Sequence, residues 1–289
     1  MARTISIVGA GRVGKTLGKR LRQLGWRIGA VVTRSAATSR AAVQAIGAGL
    51  ARSGITIDAA SADVILLTTP DDKLAGVART LAEVSGKDWR GKIVLHTSGT
   101  LDRSVLAPLA RLGAATGSLH PMQTFGGGVT PKLSGVIFAV EGDLKARRAA
   151  QGIARSLGGV PVVIEGRDKP VYHAAGVLVC GSGFPLIESA VQMLVRIGFT
   201  RRRAMQTLLL LTRQMLDNVE RLGPRAAWTG PLSRGDYDVI ATHAGALRRH
   251  PSEVQEAYAA LAHLAARVLA KRPASATKRL KRALKSLKF

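Results

Sequence analysis

The tightest constraint on this chain lies near its start. Thr4-Ile5-Ser6-Ile7-Val8 is a short apolar run of strand type. It leads straight into Gly9-Ala10-Gly11-Arg12-Val13-Gly14, with Gly18 beyond, and then into apolar residues at helical spacing, Val13, Leu17, Leu21 and Leu24. A strand that turns through Gly-x-Gly-x-x-Gly into a helix uses its first glycine for the turn. The second lets another molecule approach the backbone, and the third lets helix and strand pack closely. Unpaired N–H groups at the helix start then favour phosphate. The spacing predicts a dinucleotide pyrophosphate held over Gly9, Ala10, Gly11, Arg12, Val13 and Gly14.

The pattern repeats beyond this motif. Strand-like runs occur at Arg27 to Thr33, Asp63 to Thr69, Lys92 to Thr97, Ala114 to Leu119, Val136 to Val140 and Val160 to Ile164, with helical stretches between most of them. Strands alternating with helices predict a doubly wound, parallel α/β sheet of Rossmann type. After Gly166 the strand signal stops. Lys169 to Ile197, Arg201 to Leu222 and Glu253 to Lys271 read as long helices. The expected organisation is a dinucleotide-binding domain over 1–166, an all-helical substrate and dimerisation domain over 167–272, and a basic tail over 273–289, frayed or disordered.

Composition narrows the classes. Cys180 is the only cysteine, so no disulfide forms within the chain. The six histidines show no metal-ligand spacing, and no metal is expected. The N-terminus lacks the pattern of a signal peptide, and no apolar run reads as a membrane span, so the expected compartment is the cytoplasm. The net charge of +25 invites a nucleic-acid reading. Against it, the arginines are scattered along helices, the dense basic cluster is confined to Lys271 to Phe289, and no stacking or recognition motif accompanies it. The long apolar helices predict a homodimer.

The end of the second strand reports on the ribose. Dinucleotide sites for NAD place a carboxylate there, whereas this chain has Thr33, Arg34 and Ser35, suited to a 2′-phosphate. NADP(H) is therefore expected over NAD(H). Thr69, Pro70 and Asp71, and His96 and Ser98, end two further strands, where ligands of such sheets bind, and are expected to border the nicotinamide.

Other segments resemble one bacterial family. They are Ser118-Leu119-His120-Pro121-Met122-Gln123-Thr124-Phe125, Lys169 to His173, and Thr229-Gly230-Pro231-Leu232-Ser233-Arg234-Gly235-Asp236. That family joins a Rossmann-like domain to a C-terminal domain of unknown function. It is related to pyrroline-5-carboxylate reductase and, more distantly, to the 6-phosphogluconate dehydrogenase superfamily. The resemblance implies an NADP-linked reductase-like protein whose C-terminal helices dimerise. Relatives carry Ser-Asn where this chain has Cys180-Gly181.

Hydride chemistry needs a protein group to handle the proton. Lys169 and His173 are one helical turn apart, on a face that Gly176 and Cys180 should continue. His173, Lys169, His120 and Ser98 are the candidate catalytic residues; His120, Gln123, Arg234 and Asp236 are candidates for the substrate. Arg234 could clamp a carboxylate or simply pair with Asp236. The resulting expectation is an NADP(H)-dependent oxidoreductase that reduces an imine or carbonyl of a small metabolite. The alternatives are a dehydrogenase oxidising a small hydroxy or amino acid, and a dinucleotide-binding module without turnover.

Overall fold

The computed structural model describes residues 3–84, 88–128 and 130–287, and divides into two compact units, Met1–Gly181 and Ser182–Phe289. In the first, β1 (Thr4–Val8) passes through the glycines into α1 (Arg12–Gln23). Then follow β2 (Arg27–Thr33), α2 (Ala36–Ile46), β3 (Leu50–Ser53), α3 (Ile57–Ala60), β4 (Val64–Leu67), α4 (Asp71–Val84) and β5 (Ile93–His96). A 3-10 turn leads to α5 (Ala107–Arg111), β6 (Ala115–Pro121), β7 (Ile137–Gly142), α6 (Leu144–Ser156), β8 (Val160–Val163) and α7 (Lys169–Gly176).

The eight strands form one sheet in the order β3-β2-β1-β4-β5-β6-β7-β8. Ile5, Ile7, Val64, Leu66 and Leu95 are fully buried on one face, and Ile65, Leu67 and Val94 on the other, so α-helices cover both. Two details depart from the sequence reading. Leu50–Ser53 is an edge strand, and its sequence Leu-Ala-Arg-Ser carries no apolar run. The sheet is also not wholly parallel, because β7 runs antiparallel to β6, with β8 parallel to β7. A parallel return needs a crossover, usually helical, and the connection from β6 to β7 has no helix among its described residues.

The first unit ends 15 residues beyond the expected boundary after Gly166. The reason is α7, whose first residue, Lys169, is fully buried and bonded to residues of β6 and of the loop after β5. The expected single helix from Lys169 is interrupted by a π-helical turn at Val177–Gly181. That turn breaks the helical phase: Gly176 lies against Met122, while Cys180 is exposed and does not continue the face of Lys169 and His173.

The second unit is helical: α8 (Ser182–Arg196), α9 (Arg201–Leu222), α10 (Pro224–Ala227), α11 (Pro231–Arg234), α12 (Tyr237–Leu247), α13 (Ser252–Val268) and α14 (Pro273–Ala283). The basic tail is not frayed over its described residues. Ala276, Leu280, Leu284 and Leu287 are buried in a core with Ile240, Ala244 and Ala259, leaving the lysines and arginines on the opposite side. Residues 288–289 lie outside the described residues. By contrast, α8 and α9 each bury one residue, Val191 and Ala204, and leave Phe184, Leu210 and Leu211 more than half exposed. The helical run Gly166–Arg196 has the length and composition of a membrane-crossing helix, contrary to the sequence reading, with a mean hydropathy of 1.5. Lys169, Tyr172 and His173, within it, are tied to the sheet domain instead.

Candidate active site

The strand order reverses direction between β1 and β4, and at such a switch point the loops leave a crevice at the carboxyl ends of the strands. Gly9 stands at its edge with φ +89°, and a Cβ there would lie 2.4 Å from Thr69 Cγ2 and 2.7 Å from Thr69 N. A Cβ on Gly14 would meet Thr68 Oγ1, and one on Gly18 would meet Ile7 and Ile46. These three glycines are needed by the fold itself. Gly11 is different. It has an ordinary backbone conformation, and its Cβ would have only Gly9 O nearby, at 3.9 Å. Its missing side chain leaves open space directly at the start of α1, whose N-terminus has no side-chain cap and no acidic residue in its first turn. Thr69 Oγ1, beside Gly9, is buried without a hydrogen-bond partner. An open cradle, free helix N–H groups and an unsatisfied hydroxyl fit a dinucleotide pyrophosphate.

At the end of β2, Thr33 Oγ1 donates to Ser35 O at 3.0 Å, and Ser35 Oγ caps α2 by accepting from Thr38 N at 3.3 Å. Arg34 is exposed, with no ion-pair partner among the described residues. Residues 33–35, which end this strand, include no carboxylate.

A second cluster occupies the other half of the sheet. Cross-strand register sets Val32, Val8, Leu67, His96, Ser118 and Glu141 side by side in one row. The row is apolar over β2, β1 and β4 and turns polar over β5, β6 and β7. Lys169 satisfies that polar half: its Nζ donates to Ser98 O and to Ser118 Oγ, both at 2.9 Å. Burial lowers its pKa to about 8 against the opposing pull of Glu141, Asp71 and Asp102. Burial also raises Glu141.

Above Lys169 two imidazoles meet edge to face, His120 and His173, with ring centres 5.6 Å apart. Gly99 permits the approach, since a Cβ there would lie 2.3 Å from His173 Cδ2 and 2.8 Å from His120 Nε2. His120 Nδ1 bonds Tyr172 Oη at 3.1 Å, and burial with the nearby Lys169 lowers its pKa to about 4, so the ring is neutral at pH 7. His173 is half-buried, its Nδ1 bonds Thr100 Oγ1 at 3.2 Å, and its Nε2 has no protein partner among the described residues. Of the expected catalytic groups, His120 and His173 each combine partial exposure with an Nε2 that has no protein partner among the described residues.

Several expected residues take other places. His96 is fully buried, its Nδ1 accepting from Ser98 N and its Nε2 facing Asp102 O, both at 3.2 Å, so no ring atom is left to touch a cofactor. Burial holds it neutral, with a pKa of about 3. Ser98 Oγ donates to Asp71 Oδ2 at 2.7 Å and accepts from Thr100 N and Leu101 N; it anchors Asp71 and the loop rather than a substrate. Lys169 has no exposed surface and cannot meet a substrate in this conformation. Gln123 bonds within its own loop, to Thr124 N and Lys132 O. Arg234 pairs with Asp236 at 2.9 Å in the second unit, which closes the turn before α12. Pro70 is exposed at the start of α4.

The sequence reading passed over Thr100, Tyr172, Ser118, Glu141 and Asp102. Ser118 and Glu141 did carry a signal, being polar residues set inside otherwise buried strands.

Comparison with known proteins agrees with this architecture. Residues 2–121 match the Rossmann-like domain family, and residues 136–265 match the domain of unknown function DUF2520. No curated protein matches. Among solved structures, an inferred NADP oxidoreductase from Bacteroides fragilis is 21% identical, with a TM-score of 0.74 over 96% of this chain and 98% of its own. A reductive aminase from Aspergillus terreus, solved with NADPH and ethyl-5-oxohexanoate, is 17% identical, with a TM-score of 0.64 over 99% and 94%. A pyrroline-5-carboxylate reductase from Coxiella burnetii is 15% identical, with a TM-score of 0.59 over the full length of both. At these identities the likeness is one of fold.

Proposed function

We propose that this chain, a Rossmann-like domain joined to a DUF2520 domain, is an NADP(H)-dependent oxidoreductase that reduces an imine or carbonyl of a small metabolite. The observation that carries the reading is Gly11: a glycine with no internal reason to be one, facing open space at an uncapped helix start on the switch point of the sheet. The cofactor, when bound, supplies the hydride. The α1 N–H groups hold its pyrophosphate, and Arg34 with Ser35 holds the 2′-phosphate. His173 gives the proton through Nε2, since burial holds the neighbouring His120 neutral. Neutral His120, fixed by Tyr172, orients the reacting group, and Lys169 positions the loop that carries Gly99.

The reading extends to assembly. The exposed Phe184, Leu210 and Leu211 support a homodimer formed through α8 and α9, and a monomeric mass at micromolar concentration in sedimentation would exclude it. A binding module without turnover draws support from the saturated contacts of Ser98 and Lys169.

Calorimetric titration of NADPH, NADP, NADH and NAD tests the central claim. NADPH should bind at least tenfold more tightly than NADH, and Arg34→Ala should weaken NADPH by roughly 10- to 100-fold while leaving NADH unchanged, the worth of one charge-assisted contact. No dinucleotide binding at all would sink the enzyme reading. Equal binding of NADPH and NADH would sink the phosphate assignment alone.

A further inference from the structure

Lys169 lies between two surroundings. On one side stand Gly99 and the rings of His120 and His173. On the other its Nζ is 2.9 Å from Ser118 Oγ, and Ser118 Oγ is 3.4 Å from Glu141 Oε2. Glu141 is held by Arg103 N, which donates to Oε2 at 3.0 Å, and it lines an open cavity of about 570 Å³ walled also by Asp102, Arg103, Thr116, Glu165 and Arg167. A continuous line of hydrogen-bonding atoms thus runs from the buried amine to solvent, away from the histidine pair.

We propose that Ser118 and Glu141 form a proton conduit that connects the Lys169 amine to water in this cavity. It rests on the reductase reading, in which His173 is the proton donor and the conduit sets the charge of the buried amine that anchors the loop beside it. In the charging step a cavity water protonates Glu141. The Glu141 O–H proton then passes to Ser118 Oγ as the Ser118 O–H proton passes to Nζ. The Glu141 and Ser118 oxygens each gain one O–H bond and lose one, the water loses one and leaves as hydroxide into the cavity solvent, one N–H bond forms, and the net change is one proton moved from water to the amine. No electrons move.

The surroundings suit such an exchange. Lys169 is faced by Glu141 from β7, Asp71 from α4, Asp102 from the loop after β5, His96 from β5 and His120 from β6; Glu141 is faced by Asp102, Arg103 and Lys169. Burial raises the carboxyl and lowers the amine, which narrows the gap in proton affinity along the line. Ser118 is fully buried and Glu141 nearly so, and a conduit of side chains reaches the amine without opening it to water.

The test uses the full chain without cofactor, with lysine side chains labelled with ¹⁵N, and measures hydrogen exchange of the Lys169 ammonium by NMR. Its signal is identified by its loss in Lys169→Met. Glu141→Gln keeps the shape and the Arg103 contact, and Ser118→Ala removes the middle link. Each should slow exchange by about an order of magnitude or more while backbone amides of β5 and β6 keep their rates. Unchanged or faster exchange at Lys169 would overturn the proposal and assign the trio a purely structural role. If one variant loses its folded amide spectrum, the other decides. Because no dinucleotide is present, a failed conduit and a failed oxidoreductase reading are separate results.

Discussion

The glycine turn after β1 and the polar cluster over β5 to β7 belong to one sheet, yet they are built in opposite ways. The turn is made by removing side chains: Gly11 faces open space, and the N-terminus of α1 is uncapped. The cluster is made by adding them: His96, Ser98, Ser118, Glu141 and Lys169 satisfy one another and leave little surface. A site that receives a constant group such as a pyrophosphate can be built from backbone, which needs only space and free N–H groups. A site that manages protons needs side chains whose affinities are set by burial and by each other.

The sharpest way to break this contrast is Gly9→Ala. The substitution forces a Cβ into positive φ and against Thr69 N at 2.7 Å. It should weaken dinucleotide binding by more than about 100-fold and destabilise the fold by roughly 1–3 kcal/mol, read by calorimetry and urea unfolding. Near-normal binding would show that the turn is not the cradle.

The next effect belongs to the cluster. His96 and His120 are held neutral, with folded pKa values of about 3 and about 4, below the unfolded histidine value. Below pH 6.5 the unfolded chain therefore binds more protons than the native one, and stability falls with pH until the folded values are reached. Urea unfolding should lose on the order of 3 kcal/mol between pH 7 and pH 5. A flat profile would mean that the rings accept protons in the fold. Smallest is Gly99→Ala, which pushes on two flexible rings rather than on backbone. It should cost about 1–2 kcal/mol and leave NADPH affinity unchanged, and a matching loss of affinity would merge the two regions into one.

The same contrast explains what could be read in advance. The glycine turn, the strand and helix alternation and the Arg34 strand end are local patterns, and each was legible as such. The cluster joins Glu141, Ser118 and Lys169 across two strands and a helix start, and only register brings them together. His96 looked like a cofactor neighbour because it ends a strand, but depth inside the sheet cannot be read from position along a strand. The short edge strand β3 and the antiparallel β7 were invisible for a related reason, since both depend on what lies beside them. The basic tail misled through its charges; its apolar residues at 276, 280, 284 and 287 are a helical stripe that was there to be read.

The depth of Lys169 carries a consequence for chemistry performed on the protein from outside. An amine with no exposed surface is closed to acylating reagents and to any modifying enzyme, whereas a proton needs no such opening. Acylation of this one lysine therefore keeps time with local unfolding, and each modified molecule records a moment at which α7 parted from the sheet.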